Sequence, residues 1–249
     1  MPPARFGHPR FEFASLPSTQ QAWLEAASAG ASAGTLFLAR AQTQGRGRHG
    51  HAWASAPDAG IYASLVLRPL RPAAALLTLT LAAGLGLADA VAQATGLEPA
   101  LRWPNDLLLG GRKFCGILIE SGGDASRSHA VLGFGINLRR EAVTPEIAAV
   151  ATAVELHTLR PHAPEAVLEA ALRHLEARYQ RWSAAEDAAL LQEFEARCPL
   201  VRGAEVVVAG ASPTPYRART DGLDPCGFLR LRFPDGSCGV VVNGDVRPA

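Results

Sequence analysis

The segment QTQGRGRHGHAW at residues 42–53 places two arginines among three glycines. Arginine carries a permanent planar charge that binds phosphate or carboxylate oxygens through paired hydrogen bonds. Glycine adopts backbone angles that other residues avoid, so a glycine-rich segment can change shape with little strain. Arg46 and Arg48, on either side of Gly47, therefore predict a mobile loop that binds an anion. The same pattern is also typical of disordered RNA-binding tails, so the rest of the sequence must distinguish the two.

One lysine, Lys113, is found among the 24 basic residues of this 249-residue chain. It begins an apolar segment in which strand alternation would place it on one face with Cys115, Ile117 and Ile119. An ammonium group there needs an anion or a carboxylate such as Asp106 as its partner. Because an ammonium is compact, it can sit between two small anions better than a guanidinium can. A lysine that is merely salt-bridged at the start of a strand is the plainer alternative.

Further residues could bind or accommodate a ligand. The triplet Ser18-Thr19-Gln20 could hydrogen-bond a neutral polar group, or Ser18 could simply cap a helix. Trp53 could pack on a flat or apolar ligand, and Gly116 leaves room for a ligand against a sheet.

The segment GFGIN at 133–137 has one glycine on either side of a phenylalanine. This pattern indicates close approach to the backbone, and Asn137 could recognise the edge of a purine. The segment differs from the dinucleotide-binding fingerprint because a third glycine is missing and no helix follows directly. A resident metal site is not predicted, since His49 and His51 lack an evident third ligand and no C-x-x-C pair occurs.

The composition indicates a folded protein rather than a general nucleic-acid binder. Hydrophobic residues make up 48% of the chain, charged residues 19%, and the net charge is +1. The longest apolar run, Ala73–Ala88, is shorter than the roughly 20 residues that span a bilayer, so a buried helix is expected. No signal peptide is evident, and we expect a soluble, cytoplasmic protein with free thiols.

The order of elements predicts an α+β fold. Alternating or apolar segments predict strands at 11–15, 35–42, 61–69, 100–121 and 129–138, with a break at Pro104-Asn105-Asp106 and a hairpin turn at Gly110-Gly111. Helices are predicted after Pro17, at 73–95 with Gly96 as its end, and at 144–156, 164–182 and 183–198. Beyond residue 197 short strands separated by Gly, Pro and Asp predict a small all-β module. We therefore place the domains at 1–197 and 198–249.

In this order the segments resemble the biotin protein ligase family, also called biotin–[acetyl-CoA-carboxylase] ligases. The matching segments are Ser-Thr-Gln at 18–20, residues 42–53, LRWPNDLLLGGRKFCGILIES at 101–121 and GFGIN at 133–137. Residues 42–53, called the glycine-arginine loop from here on, and the WPND…RK..GIL..E segment are the matches that are specific to the family. The likeness is looser in the helical part and the final β module. Members of the family have a mixed sheet with flanking helices, similar to class II aminoacyl-tRNA synthetases, and end in a small SH3-like β-barrel. The resemblance implies the same architecture here.

The resemblance implies an ATP-dependent enzyme that forms biotinyl-5′-AMP from biotin and ATP. It would then transfer biotin to a lysine of a biotin carboxyl carrier protein, part of acetyl-CoA carboxylase or a similar carboxylase. The implied cofactors are ATP, biotin and magnesium, no nucleic-acid or membrane partner is implied, and the chain would act as a monomer or homodimer. Some relatives carry an N-terminal helix-turn-helix and act as repressors. Because the match begins at Ser18, operator binding is not expected.

The resemblance also implies roles for individual residues. Biotin would be bound by Ser18, Thr19, Gln20, Gln42, Arg46, Gly47, Arg48, Lys113 and Gly116, and the adenylate by Trp53, Asn105 and Asn137. Lys113, Arg48 and Asp106 would be catalytic, with Lys113 bridging the biotin carboxylate and the α-phosphate of ATP. Asp106 would orient Lys113 or contribute to magnesium binding. The sequence departs from the family at His49 and His51, where basic residues are common, and at Cys115, where a small or aliphatic residue is usual.

Three alternatives stay open. A lipoate or octanoate ligase or transferase shares this fold, although the polar Ser-Thr-Gln triplet and the Gly-Arg-Gly-Arg loop favour a ureido ring over an apolar chain. A non-catalytic module for single-stranded nucleic acid is disfavoured by the near-zero net charge and by the 6% aromatic content. A ligand sensor without catalysis is disfavoured by the presence of Lys113 and Asp106.

Overall fold

The computed structural model describes residues 6–123, 129–158, 160–212 and 214–249. This part of the chain forms a seven-stranded mixed sheet, helices on its two faces and a five-stranded antiparallel sheet. The first sheet consists of β1 (Arg10–Phe13), β2 (Leu36–Ala39), β3 (Gly60–Leu67), β4 (Ala100–Arg102), β5 (Asp106–Leu109), β6 (Arg112–Gly122) and β7 (His129–Asn137). The second consists of β8 (Arg202–Ala209), β9 (Tyr216–Leu223), β10 (Leu229–Arg232), β11 (Cys238–Val241) and β12 (Asp245–Pro248). The α-helices are α1 (Thr19–Ser28), α2 (Leu76–Thr95), α3 (Pro164–Ser183) and α4 (Asp187–Arg197).

The first sheet has the strand order β1-β2-β3-β7-β6-β5-β4. Strands β1 and β2 run parallel, and the remaining neighbours pair antiparallel. Every residue of the central strand β7 is buried, because helices or loops cover both of its faces. The predicted α+β architecture with a mixed sheet and flanking helices is confirmed.

The two faces of this sheet are covered differently. On one face, Trp23 and Ala27 of α1 pack against Val66 of β3 and Val131 of β7. On the other face lie α2, α3 and α4, which form the main hydrophobic core together with the strands. Since α1 covers only part of its face, the odd-numbered residues 133, 135 and 137 of β7 remain available on that side for a cavity.

Helix α2 is the apolar centre of the main core. It follows a 3₁₀ turn at Ala73–Ala75 and ends at Gly96, whose φ of 73° is left-handed, as the sequence predicted. Among the described residues, Ala73–Thr95 is the one helical segment long and apolar enough to cross a membrane, and 67% of its apolar window is buried inside the fold. This burial is what the core helix of a globular protein requires.

The hairpin between β5 and β6 turns at Gly110 and Gly111, as predicted. Both residues have positive φ, 55° and 75°, which a two-residue hairpin turn of this kind requires and which glycine adopts without strain.

The prediction of an α-helix over residues 144–156 is wrong. In the structure this segment forms turns, a 3₁₀ helix at Val154–His157 and an isolated bridge between Ala151 and Lys113. The Lys113 N–H donates to the Val150 carbonyl (2.9 Å), and the Thr152 N–H donates to the Lys113 carbonyl (2.8 Å). These strand-like bonds use backbone groups that a helix would need, so pairing with β6 overrides the helical spacing of the apolar residues.

The second sheet, with the order β11-β10-β9-β8-β12, packs directly on the first part of the chain. The Trp103 indole N–H donates to the Gly227 carbonyl in the β9–β10 turn (3.0 Å). A Cβ on Gly227 would lie only 3.0 Å from Leu81 Cδ1 of α2, so the turn sits against this helix. Helix α4 ends at Arg197, and the domain boundary at 197/198 stays a prediction.

We expect Leu81→Ala to lower the free energy of unfolding by about 2–5 kcal/mol, because Leu81 is buried where α2 contacts the β9–β10 turn of the second sheet. Leu70→Ala is the matched control, since Leu70 is fully exposed and its truncation should cost less than about 0.5 kcal/mol. Urea unfolding followed by circular dichroism measures both. Equal stabilities of the two variants would contradict the shared core.

Candidate active site

A cavity opens beside α1 on the first sheet, and together with the open solvent at its mouth it encloses about 450 Å³. Its walls come from the start of α1, the glycine-arginine loop and strands β3, β6 and β7. The predicted site residues that line it are Ser18, Thr19, Gln20, Gln42, Arg46, Gly47, Arg48, Trp53, Asn105, Lys113 and Gly116. Asp106 and Asn137 lie outside this lining, and each is connected to it as described below.

Glycines form the floor of the cavity. A Cβ on Gly135 or on Gly133 would overlap the Trp53 indole or the Gln20 side-chain oxygen, respectively. A Cβ on Gly116 would lie 2.9 Å from Lys113 Cε and 2.9 Å from the Trp53 ring. The glycines therefore let these side chains lie flat against the sheet.

Lys113 points into the cavity because β6 contains a β-bulge. Leu107 of β5 lies opposite Cys115, but the next residue, Leu108, lies opposite Lys113, so Phe114 is an extra residue in β6. The bulge turns Lys113 away from the face of Cys115 and towards that of Gly116. The prediction that Lys113 shares a face with Cys115, Ile117 and Ile119 is therefore wrong.

Cys115 lies in the core on the opposite face from the cavity. It is buried, and burial raises the pKa of its thiol. The group is thus held as a neutral thiol, which is a poor nucleophile, and its effect here is one of packing.

Asp106 joins two cations at the edge of the cavity. Its Oδ1 is 2.5 Å from the Lys113 ammonium, and its Oδ2 accepts a hydrogen bond of 2.6 Å from Arg102. Arg102 lies directly opposite Asp106 in the β4–β5 pair. This partner was not found from the sequence, although its position four residues before Asp106 was the available signal. The Lys113–Asp106–Arg102 cluster carries a net positive charge, and its ammonium borders the cavity.

The same contacts bear on the possible metal role of Asp106. Both of its carboxylate oxygens face cations, so this side chain is better placed to orient Lys113 than to ligate a metal. No group of three or more acidic, histidine or cysteine side chains suited to a metal occurs in the described parts of the chain.

At the opposite end the cavity is polar but uncharged. Gln42 Oε1 accepts hydrogen bonds from the Thr19 backbone N–H (2.7 Å) and the Thr19 hydroxyl (3.1 Å). Ser18 occupies the N-cap position of α1 without making a side-chain cap bond, and its Oγ is buried without a hydrogen-bond partner. Gln42 thus takes the capping role that the sequence offered to Ser18, and the Ser18 hydroxyl stays available to a ligand.

Ser64 is a further cavity residue that the sequence analysis missed. Its hydroxyl donates towards Thr19 Oγ1 (3.0 Å) and Gln20 Oε1 (3.2 Å), and Gln20 in turn donates to the Val131 carbonyl (3.2 Å). The available signal was a single serine among the aliphatic and aromatic residues of the strand segment GIYASLVL. This network holds the polar side chains in fixed positions.

The glycine-arginine loop is folded back on itself. The Gly47 N–H donates to the His51 carbonyl (2.7 Å), and the Trp53 N–H donates to the Gly45 carbonyl (2.9 Å). Its tip contains His49 with a positive φ of 55°. The predicted mobility of this loop stays a prediction.

The two loop arginines are anchored on different sides. Arg46 forms a 3.2 Å ion pair with Glu120 of β6. Arg48 donates to Asn105 Oδ1 (3.1 Å) and to Asn243 Oδ1 (2.6 Å), which belongs to the C-terminal sheet region. Burial lowers the pKa of the Arg48 guanidinium, but arginine remains protonated in proteins. Both arginines are therefore cations at the mouth of the cavity.

Asn137 lies on the same face of β7 as Gly133 and Gly135, beyond the Trp53 indole. Its Nδ2 donates to the Thr152 carbonyl (3.1 Å), while its Oδ1 is buried without a hydrogen-bond partner. With the amide oriented in this way, Asn137 presents an acceptor that is suited to an N–H donor of a ligand.

The pattern of the Biotin/lipoate A/B protein ligase family matches residues 12–137. These residues include all the strands and the loop that enclose the cavity. The chain belongs to this family. Its predicted membership is thereby confirmed.

Individual relatives agree with this assignment. The biotin–[acetyl-CoA-carboxylase] ligase of Mycobacterium tuberculosis is 37% identical over 238 residues, which cover 92% of this chain and 85% of that protein. The solved biotin protein ligase of Aquifex aeolicus, in complex with biotin and ATP, is 26% identical and superposes with a TM-score of 0.84. That match covers 97% of this chain and 100% of the other.

Another relative is longer. The bifunctional ligase/repressor of Bacillus subtilis is 39% identical over 127 residues, which cover 51% of this chain but only 39% of that protein. The chain thus matches less than half the length of this bifunctional relative.

Proposed function

We propose that this chain is an ATP-dependent, AMP-forming biotin protein ligase that biotinylates the carrier protein of acetyl-CoA carboxylase or a similar carboxylase. The observation that carries the proposal is the Lys113 ammonium, which shares one cavity with two loop arginines and a neutral polar end. The name of the Mycobacterium relative and the biotin and ATP bound to the Aquifex ligase support it.

The neutral end of the cavity fits the ureido ring of biotin. This ring has one carbonyl acceptor and two N–H donors, and it would meet the free Ser18 hydroxyl and the network of Thr19, Gln20 and Gln42. Lipoate or octanoate would offer these groups no comparable hydrogen bonds and would leave buried polar atoms unpaired. The alternative of a lipoate or octanoate enzyme is therefore less well supported.

The charged end fits the chemistry of adenylation. A biotin carboxylate oxygen attacks the α-phosphorus of ATP, a new P–O bond forms, and the bond to the bridging oxygen breaks as pyrophosphate leaves. The two reacting groups are both anionic, so Lys113 between them lowers their repulsion and stabilises the charge that develops on the α-phosphate. Asp106 holds the ammonium in this position, and Arg46 and Arg48 add charge from the loop.

The nucleotide would be recognised through Asn137 and Trp53. The free Asn137 Oδ1 is an acceptor that suits the exocyclic amino group of adenine, whereas guanine would present an oxygen there. Magnesium would enter as the MgATP substrate complex, held chiefly by the phosphates. This assignment fits the engagement of both Asp106 oxygens by cations.

In the second half-reaction the acceptor lysine attacks the acyl carbon of biotinyl-5′-AMP, and AMP leaves. The mixed anhydride is reactive, so the loop must exclude water until the carrier protein arrives. Glycine lets the loop open, and the arginines let the bound anion close it.

The direct test is the mass of a biotin carboxyl carrier domain incubated with the chain, biotin and MgATP. We expect the addition of one biotinyl group, and no addition when the target lysine is changed to arginine. GTP in place of ATP, and lipoate in place of biotin, should support little modification. Preferential lipoylation would favour the alternative enzyme, and salt-sensitive RNA retention without ATP turnover would favour a nucleic-acid module.

We expect Lys113→Ala to reduce biotinyl-5′-AMP formation by at least about 10²–10³-fold, because it removes a charge aimed at the reacting phosphate. Pyrophosphate release measures this step. Arg112→Ala is the control, since Arg112 is the neighbouring cation and donates instead to the Ala148 carbonyl (3.3 Å). Pyrophosphate release at the wild-type rate in the Lys113 variant would exclude the proposed role.

We expect Arg48→Gly to form biotinyl-5′-AMP but to lose it to solvent faster, because one cation over the bound adenylate is missing. Labelling of lysines on a bystander protein measures the loss. Arg40→Gly is the control, since Arg40 is exposed and pairs with Asp58 at 2.6 Å outside the cavity. Undiminished retention of the adenylate would count against the loop as a cover.

A further inference from the structure

Arg48 donates hydrogen bonds both to the region of the first sheet and to the C-terminal sheet region. One guanidinium nitrogen donates to Asn105 of the β4–β5 connection (3.1 Å), and the other donates to Asn243 in the β11–β12 turn (2.6 Å). The second contact joins residues 195 positions apart. The C-terminal sheet region thus reaches the mouth of the cavity through one side-chain amide.

The turn that carries Asn243 is fixed by its neighbours. Gly244 has a φ of 150°, and a Cβ there would lie 2.9 Å from the Ala209 carbonyl oxygen, so the turn packs closely on the end of β8. Val241 and Val246, on either side of the turn, are both buried. Asn243 itself is exposed, but the buried residues Val241 and Val246 on either side of the turn fix its backbone. Its side-chain amide therefore stays within hydrogen-bonding distance of Arg48.

The neighbouring charge favours the same arrangement. Burial lowers the pKa of the Arg48 guanidinium, and the carboxylates of Asp106 and then Asp245 act against this lowering. Asp245 is itself paired with Arg247 at 2.6 Å, so Asn243 rather than Asp245 makes the direct contact.

We infer that Asn243 is a positioning residue that holds Arg48 over the cavity, so that the C-terminal β region controls how firmly the loop retains its ligand. This inference rests on the proposed function for the identity of that ligand, biotinyl-5′-AMP. Removing Asn243 leaves the bond between Arg48 and Asn105, so adenylate formation continues. The adenylate then escapes more readily, because the guanidinium is held from one side alone.

The contact can be tested without any ligand. Trypsin cleaves after arginine, so the rate of cleavage after Arg48, followed by mass spectrometry, reports how often the loop detaches. We expect Asn243→Ala to speed this cleavage by about five- to tenfold, as expected for the loss of one solvent-exposed hydrogen bond. Asn243→Asp keeps an acceptor and should cleave at the wild-type rate, as should Val242→Ser, which changes an exposed neighbour. Unchanged cleavage in Asn243→Ala would overturn the inference.

The effect on the ligand is tested by the release of preformed biotinyl-5′-AMP from the full-length chain. Asn243→Ala should release it about five- to tenfold faster with little change in the rate of adenylate formation, and Asn243→Asp should restore retention. In the Arg48→Gly background Asn243→Ala should have no added effect, because both changes act through one contact. Additive effects, or unchanged release alongside faster trypsin cleavage, would overturn the positioning role. If the wild-type chain makes no adenylate, the proposed function fails, and the trypsin comparison alone decides whether Asn243 holds Arg48.

Discussion

The ion cluster formed by Lys113, Asp106 and Arg102 is the interaction on which the site depends. An ammonium beside a cavity wall needs a carboxylate partner to hold it in one orientation, and Asp106 provides it at 2.5 Å. Arg102 donates a hydrogen bond to the other carboxylate oxygen, so the carboxylate cannot rotate away without losing this charged hydrogen bond as well as its ion pair with Lys113. The surplus positive charge is therefore fixed in direction before any substrate arrives, which is the condition for electrostatic catalysis.

Around this charged cluster the cavity is lined by a network of neutral polar side chains and by the glycine-arginine loop. The polar end of the cavity is built on a helix start and a central strand, where Thr19, Gln20 and Ser64 hold one another in place. The tip of the glycine-arginine loop contacts other segments through its two arginine side chains, Arg46 with Glu120 and Arg48 with Asn105 and Asn243. The proposed function requires a fixed pocket for a neutral ring and a cover for a reactive anhydride, and the chain has different residue types at the two places.

The sequence was sufficient to predict site residues whose chemistry is unusual among their neighbours along the chain. Lys113 in an arginine-dominated chain, the loop arginines and the polar triplet at 18–20 all line one cavity. The sequence could not reveal partners that the fold brings together from distant positions, such as Arg48 and Asn243, because no local pattern encodes that distance. The predicted helix at 144–156 failed for a related reason: its backbone is recruited by β6, and long-range pairing overrides local periodicity.

The bulge at Phe114 makes the register of β6 a functional property. Successive side chains of a strand point to opposite sides of the sheet. The additional residue therefore reverses the side to which the residues before it in β6 point. If Phe114 instead took a regular ladder position opposite Leu108, Lys113 would point towards the apolar helical layer, even with every charged side chain retained. Phe114 is also fully buried, so the side chain of the additional residue packs in the hydrophobic core. The site thus depends on the irregular pairing of this strand as well as on the charged side chains that it carries.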